Sequence, residues 1–215
     1  MGTKERRERE KAEVRGKILE AARELFVSEG YEAVTMRKIA ERIEYSATAI
    51  YFHFKDKEAV MRELCETDFL ALAQQFATIG MLPDPVERLR AIGLAYADFA
   101  FEHPNHYRLM FMTPHPYHQD DDSSIQKGNP EEDAYAFLRA TVSEAIAAGR
   151  FLPGLDGLDD AELLAQTMWA GMHGVVSLQI AKADDPWVEW RPAQTRAQTM
   201  VDTLIRGLLR GESPL

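Results

Sequence analysis

The sequence predicts an all-α protein, a compact three-helix head followed by a larger helical bundle, and three observations carry that prediction. Apolar residues recur at three- and four-residue spacing along almost the whole chain. No run alternates apolar with polar residues for long enough to make a strand. Short helical patterns crowd residues 35–57 into a compact unit.

Taken in order, Val14, Ile18, Ala21, Ala22 and Leu25 form one apolar stripe on a first helix, with basic residues before it and Gly30 in the C′ position after it. Thr35 is placed to cap a second helix carrying Met36, Ile39, Ala40 and Ile43. Ser46 caps a third, in which Ile50 and Phe54 point to one side, and Asp56 caps a fourth with Val60 and Leu64 that runs on towards Phe76. Met81-Leu82-Pro83-Asp84-Pro85 breaks the pattern. Leu89, Ile92, Gly93, Tyr96, Phe99 and Ala100 then make an aromatic-rich stripe that ends near Pro104, with a further helical stretch over 105–112. Residues 113–129, with three acids in a row, two prolines and a glycine, read as a loop. Asn129-Pro130-Glu131-Glu132 offers a cap, a proline at N1 and a carboxylate at N3, so a helix is expected to start there. Its buried side is Ala134, Leu138, Thr141, Val142 and Ala145, and Gly149 ends it. An uncharged helix over 163–181 and a last amphipathic helix with Ala197, Met200, Val201, Leu204 and Leu208 complete the bundle.

Composition sets the class. With 215 residues, 46% hydrophobic and 28% charged, the chain can bury a sizeable core and is neither disordered nor of low complexity. One cysteine, Cys65, closes no intrachain disulfide, and a small apolar burial is its default. The run MGTKERRERE lacks the apolar stretch of a secretory signal, so the cytoplasm is the expected compartment. Leu163–Ala181 passes without a formal charge, close to the ~20 residues a spanning helix needs. Gln166, Thr167, His173, Ser177 and Gln179 scatter polar groups around every face of it, and each would need a partner in hydrocarbon, so no membrane span is expected.

A formal net charge of −10 argues against a protein that coats nucleic acid non-specifically. The charge is unevenly spread. Residues 1–67 carry 14 Lys and Arg against 14 Asp and Glu, so the whole excess of acid falls on residues 68–215. A neutral head and an acidic body suggest two jobs.

Two short helices under a longer one is the layout of a helix-turn-helix, whose second member enters the major groove of DNA. Cations are unfavourable at a helix N-terminus because the macrodipole is positive there. Yet Arg37 and Lys38 fall in the first turn after Thr35, and Lys55 and Lys57 flank the Asp56 cap. A phosphate docked at those helix starts reverses the sign, since free N–H groups and cations bind it together, with solvated lysines tolerated at small cost as the other reading. In the presumed reading helix, Ala47, Thr48, Tyr51 and Phe52 are left to face DNA once Ile50 and Phe54 turn inward. Tyr51 and His53 suit phosphate contacts, with a packed half-buried ring as the other reading of His53.

The run Gly30-Tyr31-x-x-x-Thr35-x-x-x-Ile39-Ala40, followed by Ser46-x-x-x-x-Tyr51-x-His53-Phe54-x-x-Lys57, resembles the DNA-binding head of the TetR/AcrR family of transcriptional regulators. The resemblance implies that Thr35, Tyr51 and Lys57 hold the phosphate backbone while residues 46–52 read bases. The family usually has Gly then Val before the Ser. Here stand Glu44 and Tyr45, so Glu44 must accept a positive φ or alter the turn, and Tyr45 adds a contact of its own. The expected DNA contacts are therefore Thr35, Arg37, Lys38, Tyr45, Ser46, Ala47, Thr48, Tyr51, Phe52, His53, Lys55 and Lys57. The expected domains are a helix-turn-helix DNA-binding domain over 12–60 and a ligand-binding and dimerisation domain over 61–215.

In the body, Trp169-Ala-Gly-Met-His-Gly is similar to the signature of one TetR-like ligand-domain subgroup. Tyr96, Phe99, Tyr107, Met110, Phe111, Phe137, Met168, Trp169, Met172 and His173 are the candidate lining of an effector cavity, with plain core as the other reading of each. A small apolar or aromatic ligand with His173 as polar contact is the expectation. A helix neutral all round must be covered on more than one side, and a homodimer through the last two helices covers it, as in regulators resembling TetR, with a helix wrapped by its own chain as the other reading. His103, His106, His115 and His118 near Asp120, Asp121 and Asp122 read as a solvated acidic loop, and no metal, cofactor or catalytic residue is expected.

The expected function is a ligand-responsive transcriptional regulator, a repressor released from a palindromic operator on double-stranded DNA when the effector binds. The alternatives are an all-α enzyme or carrier for a small hydrophobic molecule, with His173 as acid or base, and a helical adaptor for protein partners. No nucleophile–base pair, phosphate loop or metal spacing supports the enzyme.

Overall fold

The structure is a computed structural model that describes residues 3–114, 123–151 and 158–209. Among them it is all-α, apart from one antiparallel bridge between Phe151 and Leu209. The helices are α1 Thr3–Glu29, α2 Met36–Arg42, α3 Ala47–Tyr51, α4 Lys57–Ile79, α5 Pro85–Glu102, α6 Pro104–Tyr107, α7 Ala134–Ala147, α8 Leu158–Lys182 and α9 Ala193–Leu208, and α6 continues as a π-helical turn over Arg108–Met112. The chain divides into two compact units, Met1–Asp68 with Asn105–Ser124, and Phe69–Pro104 with Ile125–Leu215.

The first unit closes on one core. Ile18, Ala22 and Phe26 of α1 meet Val34, Met36 and Ile39, then Ile50 and Phe54, then Val60, Met61 and Leu64 of α4, and Leu109 of the π turn is fully buried among them. Gly30 ends α1 at φ +82°, and its N–H donates to the Phe26 carbonyl at 3.1 Å. α1 begins far ahead of its apolar stripe, at Thr3. Residues 4–13 are exposed on every face, and pairs one turn apart support them: Arg6 with Glu10 at 2.7 Å and Lys17 with Glu13 at 2.8 Å.

Deep in this unit lies a charge network. Arg23 of α1 grips Asp68 of α4 with both terminal nitrogens, one of them at 3.0 Å, and the two side chains are 7% and 3% exposed. His106 of α6 donates from Nδ1 to the same carboxylate at 2.8 Å. Three helices are tied at one point.

The second unit packs α5, α7, α8 and α9 around Leu89, Ile92, Tyr96, Val142, Ala165, Met172, Val176, Val201 and Ile205. α9 lies close on both α5 and α8 because glycine stands at the crossings. A Cβ on Gly93 would come within 2.8 Å of Val201 Cγ2, and one on Gly171 within 2.8 Å of Leu204 Cδ1. Arg90 and Asp202, 2.8 Å apart, pin the same crossing of α5 and α9.

Two helix starts differ from expectation. α7 begins at Ala134, four residues after the proline, because Asp133 accepts from the N–H groups of Tyr135 and Ala136, both at 3.0 Å. Asn129 instead organises a turn, its carbonyl accepting from Glu132 and Asp133. α8 begins at Leu158, ahead of the uncharged stretch.

Candidate nucleic-acid interface and effector site

The helix-turn-helix is built from its caps. Thr35 Oγ1 accepts from the Lys38 N–H and Ser46 Oγ from the Ala49 N–H, each at 3.2 Å. Each hydroxyl keeps its own proton for a second partner such as a phosphate oxygen. Between the helices, Glu44 takes the positive φ, at 60°. Its N–H donates to the Glu41 carbonyl at 3.2 Å and that of Tyr45 to the Ala40 carbonyl at 2.9 Å, which is the hydrogen-bond pair of a Schellman motif with glutamate where glycine is easiest. The turn keeps its geometry and carries the strain.

The five-residue α3 turns Ile50 into the core, with Phe54 buried beyond its end, and presents the rest. Phe52 is 74% exposed and Tyr51 55%, and with Thr48 and Tyr45, also exposed, they form an aromatic and hydroxyl face. Ala47 is half-buried. Large aromatics this open need a partner of another kind.

The cations at the helix starts are paired within the chain, which neither a docked phosphate nor a plainly solvated lysine anticipates. Arg37 meets Glu41 at 2.7 Å, Lys38 meets Glu29 at 2.5 Å, and Lys55 stands 3.8 Å from Asp56. Exposed pairs of this kind contribute about 0–1 kcal/mol, so a phosphate can displace the carboxylate at little cost. Lys57 is different. Its ammonium donates to the Tyr31 carbonyl at 2.7 Å and sits 4.0 Å above the Tyr31 ring, half-buried.

His53 is half-buried, and its Nδ1 is buried with no hydrogen-bond partner. Burial first, then Lys11 and Arg15 beside it, holds the imidazole below its usual value, so it is neutral at pH 7. Sequence reasoning passed over Lys11 and Arg15. Arg15 stacks on Phe54 at 4.1 Å, pairs with Glu63 and donates to the His53 carbonyl at 2.8 Å, while Lys11 lies 5.4 Å from the Phe52 ring centre.

In the second unit, the packing of α5 on α8 brings three of the expected effector residues together. Trp169 Nε1 donates to the Tyr96 oxygen at 3.1 Å, and that oxygen is 3.3 Å from His173 Nδ1. Burial lowers the His173 basicity. Phe99, Met168 and Met172 are buried, and Phe137 packs on Phe76 with ring centres 6.1 Å apart. Tyr107, Met110 and Phe111 belong to the first unit, where the Tyr107 and Phe111 rings are 4.8 Å apart. Tyr135 was not foreseen. Its ring is 5.8 Å from Trp169, and its hydroxyl, which donates to Glu162, is pushed up to about 12, by burial first and then by that hydrogen bond.

Among the described residues no group of three or more His, Cys, Asp or Glu is placed to hold a metal; His115, His118 and Asp120 to Asp122 lie outside them. Burial pushes the Cys65 thiol up to about 12, far from thiolate chemistry at pH 7. No described helix is long and apolar enough to cross a membrane.

Residues 18–64 match the family model of bacterial regulatory proteins, tetR family, and residues 89–208 that of the tetracyclin repressor-like C-terminal domain. The transcriptional repressor KstR2 of Mycobacterium tuberculosis is 36% identical over 165 residues, which are 74% of this chain and 80% of that one. The transcriptional repressor AcnR of Corynebacterium diphtheriae is 38% identical over 68 residues, 32% of this chain; the match spans only 36% of AcnR. Among solved structures, a protein of unknown function from Rhodococcus sp. RHA1 superposes with a TM-score of 0.68 at 25% identity, over 91% of this chain and 95% of that one. With both family models matched along its length, the chain belongs to the TetR family of bacterial regulatory proteins.

Proposed function

We propose that the protein is a transcriptional repressor that leaves its operator when a small apolar or aromatic molecule binds the C-terminal domain. The observation that carries the reading is the open face of α3, where Thr48, Tyr51 and Phe52 stand out from a helix whose apolar side is fully engaged. A helix-turn-helix presents its second helix to the major groove, and a small hydroxyl such as Thr48 reaches base edges or a thymine methyl. Residues 12–60 are the DNA-binding domain in this reading, and Thr35, Arg37, Lys38, Lys55 and Lys57 position it on phosphates. Ser46 and Ala47 approach the bases, with Tyr45 and His53 at the edges.

Residues 61–215 bind the effector and dimerise. The linked Tyr96, Trp169 and His173 supply polar contacts within an apolar surround, which favours an apolar ligand bearing one polar group. A homodimer through α8 and α9 explains why Leu163 and Leu178 are exposed on α8 with Ala170 and Gly174 between them. On α9 the Thr199 and Thr203 hydroxyls donate to carbonyls one turn back, each at 2.7 Å, so the backbone takes up their polarity. A twofold dimer calls for a palindromic operator, and the site of action is the cytoplasm.

Selection of duplexes from a randomised pool tests this. The wild-type chain is expected to enrich a palindrome with half-sites about one helical turn apart, and Thr48→Val to enrich a different one. Enrichment of no duplex refutes the reading.

A further inference from the structure

Lysines and arginines of the first unit face acids or carbonyl oxygens almost throughout. Arg6 has Glu10, Arg15 has Glu63, Lys17 has Glu13, Arg23 has Asp68, Arg42 has Glu24, and those around α2 and α4 are paired as described above. The exception is one stripe of α1. Among the described residues no ion pair joins Lys4, Arg7 or Lys11 to a carboxylate, and the Lys11 ammonium lies by the Phe52 ring and His53.

At about 100° per residue, Lys4, Arg7 and Lys11 fall within about 60° of one another and on the side of Ile18. Ile18 is fully buried. The face of α1 that enters the head's core thus turns cationic where the helix outruns that core. Glu5, Glu8, Glu10 and Glu13 all fall outside the sector. A helix extended ten residues past its packing, with Glu10 and Glu13 paired on other sides, thus carries three cations together with no carboxylate among them.

We propose that Lys4, Arg7 and Lys11 hold the sugar-phosphate backbone of duplex DNA beyond the base pairs that α3 faces. This rests on the DNA-reading role of the head. Continuity supports it, because Lys11 lies against Phe52, the exposed residue that ends α3. Charge complementarity supports it too. With a rise of about 1.5 Å per residue the three cations span roughly 10.5 Å, the length over which one strand presents about three phosphates at 3.4 Å each along the axis. The contact carries no sequence information. It adds affinity and register, and it lengthens the footprint.

The test uses the full chain and the duplex that the wild type enriches from a randomised pool, with dissociation constants measured between 50 and 200 mM salt. Each phosphate contact adds about 0.9 to the slope of log affinity against log salt. The Lys4→Ala/Arg7→Ala/Lys11→Ala variant is expected to flatten that slope by about 2.7, so that over this range it loses roughly 40-fold less affinity than the wild type. Arg6→Ala, on a paired and opposite face, is expected to leave the slope unchanged. Trimming the base pairs that flank the operator is expected to bring the wild type to the variant's slope and to leave the variant where it was. An unchanged slope in the triple variant, with the duplex still bound, overturns the proposal and spares the reading of α3. If the wild type enriches no duplex, both fall together.

Discussion

Replacing Asp68 with alanine is expected to destabilise the protein by about 3–5 kcal/mol, the cost of leaving a buried charge without its partner. Asp68 and Arg23 have 3% and 7% of their side chains exposed, so neither water nor salt relieves the loss. Arg23 Nε is already buried with no hydrogen bond, which leaves the guanidinium dependent on the carboxylate for both remaining nitrogens. The His106 hydrogen bond to the carboxylate is lost at the same time. Breaking the exposed Arg37 and Glu41 pair by Glu41→Ala is expected to cost less than about 1 kcal/mol. Removing both buried charges with apolar residues, as in Arg23→Met/Asp68→Leu, is expected to recover most of the loss. Urea denaturation followed by circular dichroism reads the cycle. With a slope of about 2 kcal/mol per molar urea, Asp68→Ala is expected to lower the midpoint by about 1.5–2.5 M. A loss below about 1 kcal/mol, or a double variant no more stable than the single one, refutes the argument that this network holds α1, α4 and α6 as one piece.

Lys57→Ala is expected to weaken binding to every duplex and to flatten the salt slope by about 0.9. Lost stability with the slope intact makes Lys57 a strut under Tyr31 and nothing more. Glu44→Gly relieves a left-handed glutamate that costs roughly 1–2 kcal/mol, offset by about 0.4–1 kcal/mol of added freedom in the unfolded chain. A gain of roughly 0.5–1 kcal/mol with unchanged DNA selection is expected from thermal denaturation; a loss means the Glu44 side chain contributes a contact. Trp169→Ala is expected to spare DNA affinity and to abolish the stabilisation that a panel of small apolar and aromatic compounds gives the wild type in a thermal shift. Equal shifts in the two proteins remove Trp169 from the effector site.

Much of the head was legible because its rules act within one turn of helix. Thr35 and Ser46 read as caps and are caps, and the four-residue spacing of Ile50 and Phe54 forced both inward and so exposed Tyr51 and Phe52. The Glu44 departure left two outcomes open, and the backbone took the positive φ because two hydrogen bonds of the turn hold it there. Apolar periodicity said nothing of residues 4–13, where ion pairs one turn apart carry the helix on without a core. The start of α7 was placed at Asn129, but Asp133, four residues on, is the cap because it accepts two N–H groups.

Charge was read least well. The sequence placed lysines and arginines at helix starts, but their partners come from elsewhere in the fold: Glu29 for Lys38 and the Tyr31 carbonyl for Lys57. The same holds for Tyr135 with Glu162, and for the bond from Trp169 to Tyr96 across 73 residues. By itself the sequence determined the helices, their inward faces and the family likeness of the head, since spacing, caps and apolar period are local. Only the tertiary structure decided which cations are matched and which are left open along α1. Pairing depends on distances between segments far apart in the chain, and those are set by how the cores close.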